Sequence, residues 1–208
     1  MTVASLLRGL PSLAGPLPAF DSAPASPDEL FTSWLSDAIN AGVVEPHALT
    51  LSTVDPAGRP SARVLILKDL VDGVWHFASS ALSRKGKELA NTPFAALTFY
   101  WPALGRQVRV RGAVSVANAE DSARDFLARS ASARANALLG RQSDVLTDRA
   151  ELDAALAEVD ADAVAPAWTL YHLTADEVEF WQGDPGRKHV RVQYTRSAAG
   201  WARSLLWP

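Results

Sequence analysis

Three ionisable side chains alternate near the C-terminus and follow an aromatic turn that contains glycine. Residues 179–183 read Glu-Phe-Trp-Gln-Gly, and Arg187, His189 and Arg191 come soon afterwards at alternate positions. Side chains of a β-strand alternate between its two faces, so a strand here would present all three groups on one face. Strands usually contain β-branched and aromatic residues, and this unusual face therefore predicts a site for an anion or an electron-rich ring. His189 is a candidate ring-contacting donor or proton shuttle.

Positive charge is concentrated in one part of the chain. The 208 residues carry a net charge of −3, but the segment from Arg59 to Arg111 contains nine basic and only three acidic residues. A locally basic segment in an acidic protein favours a bound small anion and argues against a nucleic-acid surface. Charges that keep exposed strand edges from pairing are an equally good explanation at this point.

Two motifs within this segment are suited to a phosphate group. Residues 63–68 read Arg-Val-Leu-Ile-Leu-Lys, where strand alternation places Arg63 and Lys68 on opposite faces unless a bulge intervenes. Residues 79–85 read Ser-Ser-Ala-Leu-Ser-Arg-Lys and lead into a predicted helix, whose free N–H groups and dipole favour phosphate. The simpler alternatives are charged ends of a buried strand and a Ser83 side chain that only caps the helix.

Two further motifs are polar. Residues 106–111 read Arg-Gln-Val-Arg-Val-Arg, in which Gln107 offers both a donor and an acceptor to the polar edge of a flavin or a nucleobase. Residues 141–143 read Arg-Gln-Ser, lie between two predicted helices, and indicate nothing by themselves.

Composition argues against several classes of protein. The absence of Cys excludes disulfides and thiolate metal sites, and the four His are scattered without metal-ligand spacing. The sequence lacks the Gly-x-Ser-x-Gly motif that would indicate a hydrolase. It also has no apolar run long enough for a membrane helix. The N-terminal residues do not have the pattern of a signal peptide. We therefore expect a cytoplasmic protein without a metal, a membrane or a nucleic-acid partner.

Short strands at hairpin spacing predict a mainly β fold with flanking helices, closed as an antiparallel barrel. The predicted strands cover residues 48–54, 60–68, 73–79, 94–101, 107–117, 168–173, 177–182, 187–195 and 201–206. The predicted helices begin after Ser26 and Ser83 and also cover residues 120–129 and 150–159. Residues 1–25 are rich in Pro, Ala and Ser and are expected to form a flexible arm, followed by a single domain over residues 26–208.

Taken in order, six of these motifs resemble those of the pyridoxamine 5′-phosphate oxidase family, from about Pro27 to Pro208. The matching motifs are residues 63–68, 83–85, 106–112, 141–143, 179–183 and 187–191. Each is short, but the shared order and spacing make a specific signal. The resemblance implies an antiparallel split β-barrel, a homodimer, and FMN bound at the dimer interface.

The resemblance also implies roles for individual residues by their position. One subunit would bind FMN through Arg63, Val64, Leu65, Lys68, Ala78, Ser79, Arg84, Lys85 and Gln107. The partner subunit would close the site with Gln142, Ser143, Trp181 and Arg191. The substrate would contact Lys68, Asp125, Arg129, Arg187 and His189, and of these Arg187 and His189 are the expected catalytic residues.

Two positions depart from the family pattern on the substrate side. Asp125 stands where the family has a Tyr, and Ala133 stands where the family has a Ser. The resemblance implies that this Tyr and this Ser bind the phosphate of the substrate. A carboxylate about 4 Å from a phosphate charge would cost on the order of 4 kcal/mol at an effective dielectric constant of about 20. The departures leave the cofactor residues intact and argue against a phosphorylated substrate.

The resemblance leaves three functions open. The first is an FMN-dependent oxidase of pyridoxine or pyridoxamine 5′-phosphate, in which a hydride passes to the flavin and O₂ accepts the electrons with release of H₂O₂. The second is an oxidase of the phenazine-biosynthesis branch, which acts on a reduced tricyclic substrate without a phosphate. The third is a flavin-binding carrier or regulatory protein with little catalysis, which would not need Arg187 and His189.

Overall fold

The computed structural model describes residues 2–8, 10, 13, 17–18, 20, 22–160 and 163–208. Its helices are α1 (Val3–Leu7), α2 (Pro27–Asn40), α3 (Arg84–Asn91), α4 (Ala119–Leu127), α5 (Ala131–Leu138) and α6 (Arg149–Ala157). Its strands are β1 (Ala48–Val54), β2 (Pro60–Val71), β3 (Val74–Ser80), β4 (Phe94–Trp101), β5 (Arg106–Val116), β6 (Trp168–Gln182), β7 (Val190–Ser197) and β8 (Gly200–Leu206).

Strands β1 to β6 form a closed antiparallel barrel. The hydrogen-bonded order is β3-β2-β1-β4-β5-β6-β7-β8, and β3 also pairs with β6. This second pairing of β3 closes a ring of six strands, and β7 and β8 extend the sheet beyond β6. The predicted mainly β fold with an antiparallel barrel and flanking helices is therefore confirmed.

The chain divides into two compact units. The first contains residues 1–47, 98–110 and 177–208, and the second contains residues 48–97 and 111–176. Aromatic contacts fill the first unit, where the Trp34 ring meets the Phe180 ring edge-on at 5.2 Å. Apolar side chains such as Leu51 and Phe77 are fully buried in the second unit. The single domain expected over residues 26–208 stays a prediction.

Helix α2 shows how local sequence sets the start and the buried face of an element. The Ser26 side chain accepts a hydrogen bond from the Asp28 N–H group, and Pro27 occupies the first helical turn, where its missing N–H costs nothing. Leu30, Phe31, Trp34 and Ala38 form the buried face at helical spacing. Ile39, which shares that apolar pattern in the sequence, is exposed instead.

Lys68 lies at an irregularity of strand β2. The pairing of β2 with β3 shifts its register between Leu67 and Asp69, which is the signature of a bulge. Arg63 lies before the bulge and contacts β1 and α3, whereas the Lys68 ammonium contacts α4. Lys68 thus lies in the bulge itself, whereas Arg63, at the other end of the motif, lies in the regular part of the strand.

Several elements differ from the sequence-based expectation, and among the strands β7 begins at Val190 where residue 187 was expected. Strand β6 is continuous where two strands were expected, because its 15 residues contain neither Gly nor Pro and its partner changes from β3 to β7. Helix α5 was not expected, since its alanine-rich sequence has little apolar periodicity, but Ser130 caps it. Within the expected arm, α1 is a short helix capped by Thr2. Residues 1, 9, 11–12, 14–16, 19, 21 and 161–162 lie outside the described part of the chain.

Gly112 marks a close approach between β5 and β6, and its substitution tests the barrel. A Cβ atom at this position would lie 1.9 Å from the Thr174 carbonyl oxygen, so the backbone would have to shift. We expect Gly112→Ala to lower the free energy of unfolding by about 1–3 kcal/mol, as overpacking usually does. Urea denaturation measures the change. Gly186→Ala is the control, because its nearest neighbour is the end of the Asp184 side chain, which can rotate away.

Candidate functional site

Lys85 is a buried cation at the first turn of α3. The Ser83 side chain caps this helix by accepting from the Gly86 N–H group at 3.2 Å. The Lys85 ammonium donates to the hydroxyls of Ser79 and Ser83 at 3.0 and 3.2 Å. Burial, with a smaller contribution from the nearby positive charge of Arg63, lowers the pKa of Lys85 to about 8. A cation whose charge is opposed by its surroundings is ready to gain from a bound anion.

Two arginines share one buried carboxylate beside Lys85. The Glu88 carboxylate accepts from Arg84 Nε at 2.8 Å and from Arg63 Nη2 at 3.3 Å. The hydroxyls of Thr53 and Ser61 also donate to it. These hydrogen bonds and the Arg63 charge lower the pKa of Glu88 to about 2, although burial, the largest single influence, acts in the opposite direction. Glu88 therefore remains ionised beneath the two guanidinium groups.

Gln142 and Ser143 approach the same cluster from the loop after α5. The Gln142 Oε1 atom lies 3.2 Å from the Lys85 ammonium, and the Ser143 hydroxyl accepts from the Arg84 N–H group at 3.4 Å. Ser143 has a φ of 83°, a left-handed conformation that is uncommon for a residue other than glycine. Both residues reach Lys85 and Arg84 within one chain, so the expectation that a partner subunit supplies them is wrong. The reason is that α5 carries the loop back to α3.

A cavity of about 290 Å³ opens next to this cluster in the second unit. Its walls combine apolar and polar side chains, and they are Val64, Leu65, Ile66, Lys68, Ala78, Ser79, Arg129, Gln142 and Trp168. Ser79 and Gln142 belong both to these walls and to the contacts of Lys85. The cavity can thus accept a planar apolar group whose anionic end is held by the cluster at Lys85.

Asp125 neutralises the lysine on the opposite side of this cavity. Its carboxylate lies 3.0 Å from the Lys68 ammonium and accepts from the Trp168 indole N–H at 2.8 Å. The Arg129 guanidinium lies over the Trp168 ring at 3.9 Å, and its Nη1 atom is buried without a hydrogen-bond partner among the described residues. Burial lowers the pKa of Arg129, and Asp125 partly counteracts this. Arg129 therefore remains the cation in this part of the cavity with a donor still to be satisfied.

The remaining predicted site residues lie in the first unit. Gln107 is half-buried in β5, and Trp181 faces Arg191 across the β6–β7 pair. The Arg191 guanidinium donates to Glu179 at 2.9 Å and to the Trp207 carbonyl at 2.8 Å. These contacts fix the direction of the guanidinium at the start of β7.

The predicted catalytic residues lie on the loop between β6 and β7. His189 Nδ1 accepts from the Asp184 N–H group at 3.0 Å, so in the neutral ring the proton is on Nε2. The His189 ring lies 4.9 Å from the Trp181 ring. Arg187 is exposed and has a φ of 65°, which is a strained conformation for this residue type. The expectation of a strand from residue 187 with all three groups on one face is wrong, because β7 begins at Val190 and Arg187, with its left-handed backbone, lies with His189 on the loop. The loop itself presents one N–H donor and one exposed cation.

The cluster and cavity of the second unit fit a flavin mononucleotide. Arg63, Arg84 and Lys85 carry three positive charges and Glu88 one negative charge, which leaves an excess close to the charge of a phosphate dianion. The walls formed by Val64, Leu65 and Ala78 suit the ring system. The charge of the cluster and the apolar walls are therefore compatible with this cofactor.

Comparison with known proteins gives a consistent result. Residues 35–182 match the pyridoxamine 5′-phosphate oxidase family, and residues 168–208 match the pyridoxine 5′-phosphate oxidase C-terminal dimerisation region. The chain belongs to this family, and the names of its relatives indicate an oxidase.

Individual relatives cover nearly the whole chain. A pyridoxine/pyridoxamine 5′-phosphate oxidase of Ectopseudomonas mendocina is 42% identical over 194 residues, which are 89% of this chain and 90% of the relative. A protein of the same name from Burkholderia multivorans is 42% identical over 200 residues, which are 91% of this chain and 94% of the relative.

Two solved structures are also similar. PhzG from Burkholderia lata, solved in complex with tetrahydrophenazine-1-carboxylic acid, has a TM-score of 0.87 and 32% identity and covers 93% of this chain and 100% of its own. A pyridoxamine 5′-phosphate oxidase-related, FMN binding protein from Nostoc punctiforme has a TM-score of 0.73 at 20% identity, covering 88% of this chain and 98% of its own, and supports the fold alone.

Several residues of the site are not predicted by the sequence, among them Glu88, Trp168 and the hydroxyls of Thr53 and Ser61 that contact Glu88. Glu88 lies four residues after Arg84 on a predicted helix, and this spacing could have indicated the ion pair. Trp168, at the start of a predicted strand, lines the cavity and donates to Asp125.

Neither a metal-binding cluster nor a membrane-spanning helix is present among the described residues. They contain no cluster of three or more His, Cys, Asp or Glu that could hold a metal ion. Within the same part of the chain, no helix is long and apolar enough to span a membrane.

The lowered pKa of Lys85 predicts a pH dependence of FMN binding. A bound phosphate favours the charged lysine, so binding should weaken as the pH rises through about 8 and the free protein loses this proton. We expect the Kd for FMN to rise by up to about tenfold per pH unit between about pH 8 and about pH 9.5. Flavin fluorescence titrations measure it. Lys85→Arg keeps its charge over this range, and an equal slope in that variant would contradict the assignment.

Proposed function

We propose that the protein is an FMN-dependent oxidase of a small heteroaromatic substrate. The observation that carries this proposal is the joining of the cationic cluster at Lys85 to the cavity bordered by Val64, Leu65 and Ala78. When bound, the flavin would supply the redox chemistry by taking a hydride from the substrate and passing the electrons to O₂, with release of H₂O₂. The protein supplies binding, orientation and charge.

In this proposal the residues of one chain hold the cofactor by its anionic end. Arg63, Arg84 and Lys85 would contact the phosphate, and the hydroxyls of Ser79 and Ser143 and the Gln142 amide lie beside them. Charge-assisted hydrogen bonds of this kind are about twice as strong as neutral ones. The phosphate thereby sets the position of the ring in the cavity.

A partner subunit would complete the site with residues of its own first unit. The match of residues 168–208 to a dimerisation region supports a homodimer. The exposed apolar side chains of Leu205 and Trp207 in that region also suit a protein interface. Trp181 and Arg191 would then meet the cofactor, while Arg187 and the Nε2–H group of His189 would orient the substrate and stabilise developing charge.

Two substrate classes follow from different observations. The names of relatives about 40% identical over most of the chain favour pyridoxine or pyridoxamine 5′-phosphate. The ion pair between Lys68 and Asp125 favours a substrate without a phosphate, as does the tricyclic monocarboxylate in the PhzG complex. Asp125 already forms an ion pair with Lys68. A substrate phosphate on this side of the cavity would therefore meet the Arg129 cation and also the Asp125 carboxylate, which repels it.

The absorbance spectrum of the purified protein, followed by O₂ uptake, tests the function. We expect a flavin spectrum and O₂ consumption with one of the two substrate classes. Uptake with pyridoxine 5′-phosphate would assign the first class, and uptake only with a reduced tricyclic carboxylate would assign the second. Flavin without uptake from either would favour a carrier or regulatory role, and no flavin after addition of FMN would refute the proposal.

The charge of Asp125 can be tested directly as a determinant of substrate choice. Asp125→Asn removes one negative charge, keeps an acceptor for the Trp168 indole and frees Lys68. We expect the affinity for pyridoxine 5′-phosphate to rise at least about tenfold, which corresponds to about 1.4 kcal/mol. Perturbation of the flavin absorbance reports the binding. The double substitution Asp125→Tyr with Ala133→Ser should act in the same direction.

Asp121→Asn is the matched control. Asp121 lies on the same helix as Asp125, but its carboxylate pairs with Arg124 outside the cavity. An equal gain in both variants would indicate a general effect of net charge. An unchanged affinity in Asp125→Asn would mean that the Lys68–Asp125 pair does not decide which substrate binds.

A further inference from the structure

Glu88 is the most buried acidic group beside the cationic cluster, and its side chain is only 5% exposed. Four different side chains donate hydrogen bonds to it, from Thr53, Ser61, Arg63 and Arg84. It does not line the cavity next to Lys85, but it borders a neighbouring cavity of about 330 Å³ together with Arg84, Gln142 and Ser143. Its effect on a group bound in the cavity next to Lys85 must therefore pass through the side chains that it holds.

The contacts of Arg63 show what Glu88 does to the cluster. Arg63 Nη1 donates to the Leu51 carbonyl at 3.2 Å and to the Thr53 hydroxyl at 2.6 Å. Its Nη2 atom is shared between Ser61 and Glu88. The guanidinium is thus fixed on one side by β1 and β2 and on the other by α3, and no N–H of its Nε is used in these contacts. Arg63 is held with donor capacity left over.

Arg84 would be mobile without Glu88. Its side chain is 63% exposed, and its Nε donates to the carboxylate at 2.8 Å. A long exposed side chain samples many rotamers, and ordering it on binding costs conformational entropy. With Nε held by Glu88, both terminal nitrogens of Arg84 remain available to an oxyanion in a restricted region of space.

Charge balance gives Glu88 a second role in the same cluster. Burial and the Arg63 charge already lower the pKa of Lys85, and the Glu88 carboxylate acts in the opposite direction. Without that carboxylate, three cations would repel one another in a poorly solvated corner. With it, the cluster keeps an excess of two positive charges, which matches a phosphomonoester dianion.

We propose that Glu88 is a positioning residue that orders Arg63 and Arg84 for the phosphate of the cofactor, so that the site selects phosphorylated over unphosphorylated flavin. The inference rests on the proposed function, because it concerns the same cofactor site. It predicts a result opposite to simple electrostatics. Removal of a negative charge near an anion should strengthen binding, whereas loss of a positioning group should weaken it.

The test compares two flavins that differ only in the phosphate. Apo-protein is titrated with FMN and with riboflavin, and quenching of flavin fluorescence gives the Kd for each. For Glu88→Gln we expect the Kd for FMN to rise about tenfold or more. The NH₂ group of the glutamine would point at side chains that are themselves donors, so Arg63 and Arg84 would lose the acceptor that orders them. The Kd for riboflavin should change by less than about twofold. The ratio of the two constants is therefore the readout.

Three outcomes would overturn the inference. Equal weakening of both flavins would show a structural role for Glu88, and unchanged or tighter binding of FMN would show that only net charge matters. Failure of the wild-type protein to bind either flavin would overturn the proposed function itself and this inference with it. Glu151→Gln is the matched control, because that carboxylate pairs with Arg141 at 2.8 Å on the surface.

A second variant protects the test against loss of folding in Glu88→Gln. Thr53→Val nearly preserves the volume of a buried residue and removes the hydroxyl that joins Glu88 to Arg63. We expect the same loss of preference for FMN, at about threefold or more, with riboflavin unaffected. A folded Thr53→Val protein that keeps the wild-type ratio would contradict the proposal.

Discussion

The carboxylate of Glu88 and the cations around it form the interaction on which the candidate cofactor site depends. Buried charges are costly unless they are paired and hydrogen-bonded. Arg63 and Lys85 lie close enough for their repulsion to contribute to the low pKa of Lys85, about 8. The ionised Glu88 and the hydroxyls of Thr53 and Ser61 make this density of positive charge tolerable. Strands β1 and β2 and helix α3 must be packed together for these groups to meet, so the barrel itself supports the charge arrangement.

The same physical principle has the opposite result on the other side of the cavity. Asp125 lies against Lys68 and the Trp168 indole, and the pairing leaves no excess of charge on that lysine. The cluster at Lys85 therefore retains two unbalanced positive charges, whereas Lys68, Arg129 and Asp125 together retain one. Under the proposed function, this asymmetry would separate the binding of the cofactor from the choice of the substrate. A single side chain on α4 is enough to produce it.

Much of the fold was predictable because it depends on short-range signals. The caps at Ser26 and Ser83 and the bounds of β1 and β4 follow from local residue types. Strand β6 was predicted as two pieces because its partner changes along its length, which no local pattern reveals. Helix α5 was missed for a related reason, since its alanine-rich sequence carries little periodicity.

The order and spacing of six motifs were sufficient, from the sequence alone, to indicate the family, the antiparallel barrel and the residues suited to a phosphate and a ring. Only the tertiary structure decided which of these residues meet. It brought Gln142 and Ser143 to Lys85 and Arg84 within one chain, placed Glu88 beneath two arginines, and paired Asp125 with Lys68. Apart from the Arg84–Glu88 pair, these contacts join residues far apart in the chain, and their distances depend on strand register and helix packing, which local residue types do not encode.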